Sequence, residues 1–261
     1  MTRFVWIGLL AGCAASIVGC GTGTYDSVVD RGVATIRADA KFRGLFAPVQ
    51  IPDVPYTVRV PVIFPNSYTP TSSHPVDGAK IKPQRMQPPF MGNNDNIKLM
   101  FEGTVKEGSS DLPFYVYLGA SPVKPGEVDK FAADIEKGVK TIVPADQSPE
   151  WEPVDADTPT GKAIHWRKMR VNIDQPFFVK LDGDDSPEAQ NLPGVLELWL
   201  HDAGEYAIVI VWRAPKQIEG PQQREFDSVG GMTVPVPNVK PDLAKWPALT
   251  AGTLAPLEQT P

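Results

Sequence analysis

Residues 195–213 read VLELWLHDAGEYAIVIVWR, and this stretch predicts a β-hairpin. Two apolar arms, 195–200 and 205–213, flank the polar turn His201-Asp202-Ala203-Gly204. Glycine adopts positive φ at no steric cost, so Gly204 suits such a turn. Both alternating sets of side chains in the second arm are apolar, which is typical of a strand covered on each face. The hairpin therefore predicts the centre of an antiparallel sheet.

Further strands are predicted on the N-terminal side of this hairpin. Residues 97–102 and 114–118 alternate apolar and polar side chains on either side of the polar turn 106–111. This pattern indicates a second antiparallel pair. Residues 166–173 and 177–181 show two more stretches of the same kind.

One amphipathic helix is predicted between these strands. Its apolar residues recur at helical spacing, with Pro125 near the first turn and acidic residues preceding basic ones, as suits the helix dipole. The apolar residues are Val128, Phe131, Ala132, Ile135 and Val139. The predicted fold class is therefore α+β: mainly antiparallel β-sheet, with this helix packed on one face.

Proline sets the predicted domain organisation, because ten of the 28 prolines fall between Pro48 and Pro89. We expect the α+β domain at 92–214 and an extended Pro-rich segment at 54–91. Within that segment, Pro61 cannot donate a ladder hydrogen bond, so a strand at 54–64 should lie at a sheet edge. Residues 215–261 are predicted to be a Pro-rich, largely disordered tail.

Other connecting stretches are predicted as loops or as a tether. The acidic residues 143–161 and 182–191 are expected to be loops. Residues 20–53 are predicted to form a tether and an N-terminal helix, which spans 25–45. This helix either packs on the domain or lies against a membrane surface.

The first 19 residues have the pattern of a secretory signal peptide. Arg3 precedes an apolar run from Phe4 to Val18, and small residues follow. The run is too short for a confident membrane span, which needs about 20 apolar residues. We therefore expect residues 1–19 to be removed. A plain secretory signal and an uncleaved anchor remain alternatives.

Ile17-Val18-Gly19-Cys20 resembles the lipobox of bacterial lipoproteins. The resemblance implies cleavage before Cys20, a diacylglyceryl group on its thiol and acylation of the new amino terminus, for example by palmitate. Leu10-Ala11-Gly12-Cys13 fits the same motif, but cleavage there would leave a very short apolar segment, so we favour Cys20. The lipoprotein would sit on the extracytoplasmic face of the cell envelope. Gly21, where inner-membrane lipoproteins of two-membrane bacteria carry Asp, favours the outer membrane, if the host has one.

A basic cluster supplies one candidate binding site. On a strand, Trp166, Lys168 and Arg170 would share one face, which could bind an anionic glycan or a lipid phosphate. The alternative is that these residues pair with acidic loops of the same protein.

A weaker candidate is a calcium site at Asp182, Asp184, Asp185 and Glu188, whose carboxylates are suitable hard ligands. Their order does not match an EF-hand loop, so we expect a solvated loop and no metal or cofactor. His201, Asp202 and Glu205 form the densest group of histidine and carboxylates, but a hairpin turn accounts for them.

Composition and motifs narrow the functional classes. The net charge of −6 disfavours nucleic-acid binding, and both cysteines, Cys13 and Cys20, lie in the signal region. The sequence contains no G-x-S-x-G or H-E-x-x-H motif. Two hypotheses remain: a non-catalytic envelope lipoprotein that binds another envelope protein or a glycan, and a tethered hydrolase of cell-wall or extracellular material with an unidentified carboxylate pair.

Overall fold

An antiparallel sheet of seven strands forms the centre of the structure, a computed structural model. The described residues are 48–61, 66–68, 88, 90, 96–158, 161–181, 183, 187–218, 226–229, 232–235 and 244–257. The chain divides into two units, Met1–Arg43 with Pro159–Gly161, and Gly44–Thr158 with Lys162–Pro261. All helices and strands given below belong to the second unit. The expected signal peptide and N-terminal helix lie outside the described residues.

The strands and helices take up most of the described chain. The strands are β1 Val49–Gln50, β2 Tyr56–Val58, β3 Asn66–Tyr68, β4 Ile97–Glu107, β5 Ser110–Pro122, β6 Glu152–Asp157, β7 Ala163–Leu181, β8 Glu188–Asp202, β9 Tyr206–Pro215, β10 Phe226–Val229, β11 Met232–Pro235 and β12 Ala255–Pro256. The helices are α1 Val128–Lys140, α2 Trp246–Ala251 and a 3₁₀ turn at Lys216–Ile218. The structure is therefore mainly antiparallel β-sheet with few helices, as predicted.

The strand order of the large sheet is β3-β4-β5-β9-β8-β7-β6. The two smaller sheets are β1-β2-β12 and β10-β11. The predicted hairpin is confirmed as β8 and β9, and its Gly204 has a φ of 81°. Residues 207–215 of β9 are all buried, which confirms that this strand is covered on both faces.

β7 is a single strand of 19 residues, where the sequence indicated two strands. The extended backbone continues through Pro176, although proline has no N–H to donate. The carbonyl oxygen of Pro176 accepts a hydrogen bond from the side chain of Arg213. At its end β7 pairs with the start of β5, Lys180 opposite Asp111. The sheet therefore curls until β7, three strands away from β5, meets it again.

α1 packs on one face of the sheet, as predicted. Its Asp129 forms a salt bridge of 2.6 Å with Arg167 of β7, and Trp151 Nε1 donates to the carbonyl oxygen of Ala132 at 3.2 Å. Directly opposite residues on neighbouring strands share a face, so Arg167 lies on the same side as Leu200. We call this side the helix face.

The C-terminal residues, together with β1 and β2, cover the other side, which we call the cap face. The ring of Trp246 in α2 lies 6.4 Å from the ring of Trp212 in β9. Tyr56 of β2 donates its hydroxyl to the carbonyl oxygen of Ala203 at 3.4 Å. α2 and the sheet β1-β2-β12 thus bury the apolar residues that β9 presents on this side.

The prediction of a largely disordered tail at 215–261 is wrong for the residues that the structure describes there. Trp246, Ala251 and Leu254 are buried in the core, and β12 pairs with β2. The physical reason is that β9 is apolar on both faces, so the cap face needs a cover, which the C-terminal residues provide.

Three local predictions also need correction. β2 is the central strand of its sheet and not an edge strand, because its pairing ends at Val58, before Pro61 is reached. Residues 152–157, predicted to be a loop, form β6 at the edge of the large sheet. An edge strand has one unpaired side, which tolerates Pro153. Residues 188–191, also predicted to be loop, extend β8.

Candidate functional site

The predicted basic cluster lies on the cap face, where β7 runs beside β8. Register places Lys168 opposite Trp199 and Arg170 opposite Glu197. Trp166 precedes them by one repeat of the strand and its ring contacts His201. The structure therefore brings Trp166, Lys168 and Arg170 to one face, together with three partners from the neighbouring strand.

Trp166 is part of the core. Its side chain is 3% exposed, and its ring lies 5.1 Å from His201 and 6.2 Å, edge-on, from Trp199. Its Nε1 is buried and has no hydrogen-bond partner within the described part of the chain. A ligand cannot stack on a ring that is already covered, so we assign Trp166 a packing role.

Arg170 is paired within the sheet. Its Nη1 donates to Glu197 Oε2 at 2.5 Å, and Trp199 Nε1 donates to Glu197 Oε1 at 2.8 Å. Glu197 is 4% exposed, so this carboxylate is buried but receives donors on both oxygens. Charge-assisted hydrogen bonds of this kind compensate the cost of taking a carboxylate out of water.

Lys168 makes a different contact. Its Nζ lies 5.9 Å from the centroid of the Trp199 ring, within range of a cation–π interaction. The same ring thus holds Lys168 over its face and donates its indole N–H to Glu197. Trp199 therefore contacts both Lys168 and Glu197.

Sequence reasoning missed Glu197 as the partner of Arg170 and looked to the acidic loops instead. A signal was present, because Glu197 is the one charged residue in the apolar arm 195–200. Acidic residues are rarely buried unless they are paired. A buried acid in a central strand therefore indicates a basic partner on an adjacent strand.

The group at the hairpin turn has a structural explanation. Asp202 Oδ1 accepts a hydrogen bond from the backbone N–H of Gly204 at 2.9 Å, as aspartate does in many turns. His201 Nδ1 donates to the carbonyl oxygen of His165 at 2.8 Å. These two side chains are therefore engaged by backbone groups of the turn and of β7.

The weak calcium candidate falls mostly outside the described residues. Asp182, Asp184 and Asp185 are among the positions that the structure does not describe, and Glu188 starts β8 as an exposed residue. Among the described residues, no group of three histidine, cysteine or acidic side chains is arranged to hold a metal ion.

Comparison with known proteins adds no assignment. No protein-family model matches the chain, and no curated protein is similar to it. Within the described ranges, no helix combines the length and the apolar character that crossing a membrane requires. The class that the fold defines is an α+β domain with a curled antiparallel sheet.

Proposed function

We propose that the protein is a membrane-anchored lipoprotein of the cell envelope, held by acyl chains on Cys20, with a non-catalytic binding or structural role. The observation that carries the proposal is Ile17-Val18-Gly19-Cys20, placed directly after an apolar run with one cationic residue at its start. Each buried methylene contributes about 0.8 kcal/mol, and two chains or more hold a protein stably where one does not. The partner would be another envelope protein or a glycan.

The ionisable side chains favour binding over hydrolysis. Among the described residues Glu197 is the one buried carboxylate, and Arg170 neutralises it. Glycoside hydrolysis by the usual route needs two carboxyl groups that face each other across the substrate. Arg170 and Trp199 already donate to both oxygens of Glu197, so this carboxylate is engaged within the sheet, and we propose a binding or structural role.

Substitution of the modified cysteine tests the anchor. Cys20→Ser should abolish labelling by a fatty-acid analogue in growing cells and release the protein from the membrane fraction. Cys13→Ser is the matched control, because it changes the other cysteine of the signal region and should leave both labelling and membrane association intact.

The opposite pattern would contradict the proposal. If Cys13→Ser loses the label and Cys20→Ser keeps it, the anchor is Cys13. If both variants remain in the membrane without label, the protein is held there by something other than a lipid on cysteine. Mass spectrometry of the mature N-terminus distinguishes these outcomes.

A further inference from the structure

We draw no further inference here: the strongest candidate, the edge of β7 between its pairing with β6 and its pairing with β5, is capped at Asn172 by the side chain of Gln147, and nothing in the described part of the chain shows what would cover the rest of it.

Discussion

Glu197 is a buried charged residue whose carboxylate holds two neighbouring side chains of the sheet in place. It lies in a central strand and receives hydrogen bonds from Arg170 and Trp199. Removing one member of a buried pair leaves the other charge uncompensated, which costs more than the pair contributes by itself. Loss of Arg170 should therefore lower the stability of the protein.

At this scale we predict that Arg170→Leu lowers the free energy of unfolding by about 3 kcal/mol, because Glu197 remains buried with one donor fewer. Lys168→Leu is the control on the same strand and the same face. It loses a cation–π contact, so it should cost about 1 kcal/mol or less. Urea denaturation of both variants makes the comparison.

Equal losses for the two variants would contradict a specific role of Glu197. Combining Arg170→Leu with Glu197→Leu refines the test, since the double variant buries no unpaired charge. We expect it to recover a large part of the stability that Arg170→Leu loses.

At the scale of elements, α2 and β12 together seal the cap face. Gly252 comes directly after α2 and packs against β6. A Cβ added at this position would lie 2.1 Å from the Asp157 carbonyl oxygen. Thr253 donates to and accepts from the backbone of Arg59, beside β2. The C-terminal segment therefore contacts both the large sheet and the sheet β1-β2-β12.

We predict that Trp246→Ala costs about 3–5 kcal/mol of unfolding free energy, since it empties a large core position against Trp212. Lys245→Ala, at the exposed neighbouring position, should cost about 0.5 kcal/mol or less. Thermal and urea unfolding measure both. A variant lacking Trp246 that is as stable as the unaltered protein would show that the segment does not contribute to the core.

On the scale of the whole molecule, one hydrophobic core connects the large sheet, α1 and the C-terminal segment. Its residues range from Ile51 near the start of the described chain to Leu254 near its end. Because the layers share this core, none of them can lose its partner without exposing apolar surface. The unit formed by residues 44–158 and 162–261 should behave cooperatively.

We therefore predict a single unfolding transition for this unit. Far-UV circular dichroism reports the sheet, and tryptophan fluorescence reports residues in several layers, among them Trp246 and Trp212. The two urea curves should coincide within error. An earlier transition by fluorescence would indicate that the C-terminal segment detaches before the sheet unfolds.

The candidate site was predictable only in part. The period of a strand places Trp166, Lys168 and Arg170 on one face without any knowledge of the structure. Their partners come from β8, and which residue lies opposite depends on register. That register shows that Arg170 is matched by Glu197 and that Trp166 is covered, neither of which a single strand reveals. Arg213 ends the second apolar arm of the hairpin, but Phe177 and Pro176, which contact it, come from a different strand, so the sequence did not show its surroundings.

Local periodicity was sufficient for α1 and for the hairpin of β8 and β9, because alternation at 2 or 3.6 residues reflects the side on which each residue is buried. The same sequence also carries the cysteine motif from which we infer the lipid anchor.

Tertiary structure decided the contacts between distant residues. These are the pairing of Asp111 with Lys180, the burial of Trp246 on the cap face and the isolation of Arg213 from any described carboxylate. Each of them depends on how the sheet curls and on which face remains to be covered. No short stretch of sequence encodes these properties, since they arise only when strands from different parts of the chain are packed together.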